Sequence, residues 1–138
     1  KGQNQSAQAI TFLQDWAAAD PTTTNPLLLL GMEYQGANQD RQAIERYEQV
    51  YALNPNNVIM LNNLAWLYQD SSPERALELS ERAAQLFPQN ADVLDTYGWI
   101  LYKQGNAALA LTHLENAARL APDSTSIREH LSIVQGDQ

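Results

Sequence analysis

Apolar residues recur three and four positions apart along almost the whole chain. Between Ala91 and Pro122, Leu94, Tyr97, Gly98 and Leu101 form one stripe with Val93 and Ile100 beside it. That spacing predicts an amphipathic helix. Gln104, Gly105 and Asn106 interrupt it as a turn, and Ala110, Leu114, Ala117 and Ala118 then resume the same period until Pro122 ends the unit. Two helices of this length joined by a short turn make an αα-hairpin. Gly98, Ala110 and Ala117 are small enough to let the backbones approach. Leu94, Tyr97, Leu101 and Leu114 are large enough to fill the space around them.

The pattern returns upstream. Leu27, Leu30, Gly31, Tyr34, Ala43, Tyr47, Val50 and Pro55 repeat it, with the turn at Gly36 to Asp40. Asn25 is expected to cap the first of these helices, with Pro26 in its first turn, where a missing N–H costs nothing. Leu61, Leu64, Ala65, Tyr68, Ala76, Ser80, Ala83 and Pro88 repeat it again after a turn one residue shorter and without glycine. Ser72, Pro73 and Glu74 supply the helix start there. Ser80 stands where a large residue is expected and predicts a looser contact. Ala9, Ile10, Leu13, Trp16 and Ala17, ahead of Pro21, match only the second half of the unit, so the array is expected to continue upstream. Ile127, Leu131 and Val134 predict a final helix that caps the stack. The expected division is a half unit over 1–23, full units over 24–57, 58–90 and 91–124, and a cap over 125–138. All eight elements are helices, with no strand.

These offsets resemble the tetratricopeptide repeat, a 34-residue helix–turn–helix unit with small and large residues and a proline at fixed places. The resemblance implies an all-α, right-handed αα-hairpin solenoid. It also implies that the second, fifth, ninth and twelfth positions of each repeat line a concave groove. Those positions hold Asn25, Leu28, Met32 and Gln35, then Ile59, Asn62, Trp66 and Gln69, then Asp92, Asp95, Trp99 and Tyr102. Asn63 and Thr96 are implied as flanking residues. Some members grip a chain terminus through a basic carboxylate clamp, whose positions fall here on Leu28, Met32, Asn63, Asp92 and Thr96. Only Asn63 agrees. Asp92 would repel a carboxylate, so clamp-type binding is not expected.

At 138 residues and 44% hydrophobic, the chain can bury a compact core. The longest aliphatic run, Leu27 to Leu30, is too short to cross a bilayer, and no direct membrane insertion is expected. Sixteen acidic against eight basic residues give a net charge of -8, which repels phosphate backbones and argues against nucleic acid. There is no cysteine, hence neither a disulfide framework nor a thiolate metal site.

Chemistry-bearing clusters are sparse. Asp92 and Asp95 lie three apart on one predicted helix face and read as a solvated acidic rim rather than a cation or acid–base site. His113 and His130 have no ligand-spaced partners and read as surface histidines. No phosphate loop, nucleophile elbow or Cys–His pair occurs. No metal, cofactor or catalytic residue is expected. Trp66 and Trp99 admit two readings, as packing between neighbouring first helices or as anchors for a ligand.

The leading expectation is a non-catalytic scaffold binding a peptide or protein segment with apolar or aromatic anchors. A glycan-binding module is the alternative, stacking sugars on Trp66, Trp99 and Tyr102 and bonding hydroxyls through Asn62, Asn63, Asp92 and Asp95. Self-association through Ile10, Leu13 and Trp16 on the N-terminal face is a third class. The stretches NNLAWLYQ and ERALELSERAAQLFPQNADVLDTYGWILYKQGN resemble the tetratricopeptide lipoproteins of bacterial exosortase (PEP-CTERM) and exopolysaccharide export systems. That likeness implies a bacterial envelope or periplasmic protein, lipid-anchored elsewhere; the cytoplasm is the alternative.

Overall fold

The computed structural model describes residues 3–138. Their elements, all helical, are α1 (Gln3–Ala19), α2 (Asn25–Gly36), α3 (Asp40–Leu53), α4 (Val58–Leu67), α5 (Pro73–Leu86), α6 (Ala91–Lys103), α7 (Ala107–Leu120) and α8 (Thr125–Gly136). No strand occurs among the described residues. The chain forms two compact units, Lys1–Met60 and Leu61–Gln138, whose boundary falls within α4.

In the first unit α2 packs against both α1 and α3. The α2–α3 approach is set at Gly31, where an added Cβ would stand 2.5 Å from Tyr47 Cε1. No side chain larger than hydrogen fits over that ring, so the glycine and the buried tyrosine are a matched pair. The Tyr47 hydroxyl donates to Gln35 Oε1 at 2.8 Å, and Gln14 Nε2 donates to Tyr34 Oη at 3.0 Å, which satisfies two phenols inside the helix stack. Helix α2 starts one residue earlier than expected. Asn25 is already helical, Thr24 is the cap residue, and no side chain bonds the free N–H groups there. Pro26 in the first turn removes one of those donors, which lessens the need for a side-chain cap. Leu13 of α1 is buried, so the exposed apolar face of this helix is carried by Phe12 and Trp16, 66% and 38% exposed. Leu13 therefore cannot serve the expected self-association face.

In the second unit α6 packs against α5 and α7, and α8 packs on α7 and reaches α6. Gly98 reproduces the close approach: a Cβ there would meet Leu114 Cγ at 2.8 Å and the Ala110 carbonyl oxygen at 3.2 Å. Tyr97, Leu101, Ala110, Leu114 and Val134 form one core cluster, and Leu94, Ala117 and Ile127 another. Burial of Ile127 and Val134 holds α8, each such side chain contributing about 1.5–3 kcal/mol. Ser80 is 1% exposed, with its hydroxyl donating to the Leu77 carbonyl at 3.1 Å. The expected looseness is not seen as exposure: the register that pairs Gly31 with Tyr47 and Gly98 with Leu114 pairs Ala65 with Ser80, moving bulk from one helix to the other.

Caps and turns follow from local chemistry. Asn90, Asn106 and Ser124 accept from the backbone N–H groups of Val93, Leu109 and Ile127, closing the N-termini of α6, α7 and α8. The α2–α3 turn places Asn38 at φ 60° and the α6–α7 turn places Gly105 at φ 92°, residues of the two types that tolerate that region best. No described helix is long and apolar enough to cross a membrane.

Candidate functional site

Four rings meet on α4, α6 and the capping helix α8 in the second unit. The His130 imidazole of α8 stacks on the Trp99 indole of α6, with centroids 4.4 Å apart and planes 24° from parallel. Trp66 of α4 lies on His130 at 5.9 Å, and Tyr102 lies beside Trp99 at 5.3 Å. Polar groups fix this row. His130 Nδ1 is 2.7 Å from Asp95 Oδ1, and Trp99 Nε1 donates to Gln69 Oε1 at 3.3 Å. Lys103 Nζ donates to the same Gln69 oxygen at 3.1 Å and pairs with Asp70. The Tyr102 hydroxyl donates to the Asp137 carboxylate, a bond that pushes the phenol above its usual pKa of 10, with burial and the negative charge adding to it.

The candidate residues separate into two environments. Trp66, Gln69, Trp99 and Tyr102 are half-buried, and Asp92 is exposed. Asp95 and Thr96 are 8% and 5% exposed. Asp95 is therefore not part of a solvated acidic rim with Asp92. Its carboxylate faces His130, which is the partner that makes burial tolerable. Asn62 and Asn63 are half-buried, and the Asn62 Oδ1 atom is shielded from solvent without a donor. In the first unit Leu28 is buried, Met32 is 41% exposed, and Gln35 is committed to the Tyr47 hydroxyl.

Neither histidine is a simple surface residue. His130 has a side chain 16% exposed and completes the aromatic row. The register could have found it, since it falls one 34-residue period after Thr96. His113 packs on Tyr97 with centroids 4.7 Å apart, and its Nδ1 is buried without a partner. Burial holds His113 below the usual histidine pKa of 6.5. Tyr97 is raised above its usual value by burial, then by the charge of Glu81 and a hydrogen bond to it. Among the described residues no three His, Asp or Glu side chains gather as a metal site.

Helix pairs locked by a glycine under a bulky side chain, with aromatic side chains left half-open on the first helices, define a helical-hairpin repeat scaffold. Two family models, each described as a tetratricopeptide repeat, match residues 28–91 and 67–129. The chain belongs to the tetratricopeptide-repeat family. It is 30% identical over 122 residues, 87% of its length, to the TPR repeat-containing protein PA4667 of Pseudomonas aeruginosa, of which it spans 21%. It is 26% identical over 136 residues, 95% of its length, to the mouse protein O-mannosyl-transferase TMTC1, of which it spans 14%. The chain thus covers about a fifth or less of these curated relatives. Among solved structures, MamA from Desulfovibrio magneticus RS-1 superposes with a TM-score of 0.84 at 17% identity over 96% of this chain and 75% of that one. The first TPR of Spaghetti (RPAP3), bound to the HSP90 peptide SRMEEVD, superposes with a TM-score of 0.74 at 17% identity over 83% of this chain and 91% of that one. These likenesses establish the all-α tetratricopeptide solenoid fold, a class of scaffold that is generally not enzymatic. They lend no support to the narrower exosortase-lipoprotein resemblance.

Proposed function

We propose that the chain is a non-catalytic scaffold that captures a peptide segment on the face carrying Trp66, Trp99 and Tyr102. The row of half-buried rings on α4, α6 and α8 is the observation that carries this reading. Such rings offer large contact area at small entropic cost, and truncating one anchor typically costs about 2 kcal/mol or more of binding. The exposed Asp92 favours a basic residue beside the anchor. An acidic terminus is not expected to bind, because the clamp positions hold Leu28, Met32, Asn63, Asp92 and Thr96. A glycan is the weaker reading. His130 covers one face of the Trp99 indole, and Asp95 and Thr96 are too buried to meet sugar hydroxyls.

The envelope location and a role in exopolysaccharide export or surface-protein sorting rest on the resemblance of Asn62 to Gln69 and the stretch after it. They form the outer part of the proposal, and fractionation of the source cells tests them separately.

The binding reading is tested with a displayed library of short peptides, selected on the parent chain and on a Trp66→Ala, Trp99→Ala variant whose helicity is checked by circular dichroism. Enrichment of basic peptides with an aromatic or aliphatic anchor by the parent alone is expected. Equal enrichment by the folded variant, or retention of polysaccharide in place of peptide, would overturn it.

A further inference from the structure

A cavity of about 500 Å³ opens in the first unit among α1, α2 and α3, on residues that take no part in the aromatic row. Leu27, Leu30, Leu53 and Pro21 supply apolar walls, and Gln14 of α1 with Arg46 and Gln49 of α3 supply the polar ones. A volume of this size, mostly apolar with one or two placed polar groups, is the usual form of a small-molecule site. Among the described residues that line it, Arg46 alone is charged. Its Nη1 donates to Gln49 Oε1 at 2.8 Å, its Nε is buried without an acceptor, and no described carboxylate reaches it.

The guanidinium is half-buried with one N–H on Gln49, and the N–H groups it leaves unbonded are free to meet an arriving anion. Its planar fork matches a carboxylate. The apolar walls in turn reject an anion that brings no hydrocarbon, because the cavity would then have to be filled with poorly bonded water.

We propose that this cavity is a binding site for a free aliphatic carboxylate, with the chain against Leu53 and the edge of Leu27 and the carboxylate on Arg46. Charge complementarity selects the acid over a neutral or cationic amphiphile. The size of the cavity favours a single small molecule over a helix or strand of a partner.

The test is calorimetric titration of the intact chain with octanoate, octanol and octylammonium below their aggregation limits. Octanoate is expected to bind one to one, and Arg46→Gln to weaken it by about tenfold or more, the worth of one charge-assisted hydrogen bond. Ala17→Leu, which fills the cavity from α1 and leaves Arg46 in place, is expected to abolish binding with helicity retained. Equal binding of octylammonium, unchanged octanoate affinity in Arg46→Gln, or no octanoate binding to the folded parent would overturn the proposal. So would tighter, Arg46-dependent binding of a leucine-terminated tetrapeptide, which would make the occupant a peptide terminus.

Discussion

His130 and Trp99 stack across two helices, with the imidazole 4.4 Å from the indole and its Nδ1 held 2.7 Å from Asp95 Oδ1. One side chain of α8 thus covers an aromatic surface on α6 and pairs with a buried acid of the same helix. Removing it loses the ring contact, about 0.5–1.5 kcal/mol, and strands the acid, about 1–3 kcal/mol. His130→Ala should therefore lower stability by about 2 kcal/mol and open the indole to solvent. Denaturant unfolding with acrylamide quenching of tryptophan emission checks both. Asp95→Ala in the same background should cost less than it does alone, because the stranded carboxylate is gone.

Gly31 faces Tyr47 so closely that a methyl group must displace the ring. Gly31→Ala should destabilise by about 1–3 kcal/mol, and the loss should shrink when Tyr47→Ala makes room for it. A double-mutant cycle read by urea midpoints measures the coupling. Additive losses would mean that the two residues do not share this contact.

Gly98→Leu should cost at least as much, about 1–3 kcal/mol, since the new side chain meets both Leu114 and the Ala110 carbonyl. A melting temperature equal to the parent's would contradict the α6–α7 packing described above.

The pH dependence turns on His113. Burial depresses its folded pKa below the ordinary 6.5, so the unfolded chain takes up the proton first as pH falls. Its contribution is fully present above pH 6.5 and is lost progressively below it, towards the folded value. His113→Phe should flatten this part of the stability profile. Urea titrations of both proteins across that range provide the check.

The repeat was legible in the sequence because its determinants are local. Pro55, Pro88 and Pro122 mark chain stops one period apart, and Gly31 and Gly98 mark close contacts two periods apart with small Ala65 between them. The aromatic row was only half legible. Trp66, Trp99 and Tyr102 were placed by register, whereas the Asp95–His130 pair joins residues 35 apart on helices whose contact no local pattern encodes. The same limit applies to Gln35, whose Oε1 accepts from the Tyr47 hydroxyl twelve positions on. The cap at α2 was misplaced by one residue because Asn25 and Thr24 both suit that position, and Pro26 decides the start without either side chain.

The most direct test of the peptide-capture account is nitrogen–proton NMR of the intact chain titrated with a peptide selected on it, following the indole Nε1–H signals of Trp66 and Trp99. Peptide capture on this face predicts saturable shifts at both indoles with one midpoint. Shifts confined to other residues, with both indoles unmoved at saturation, would contradict it.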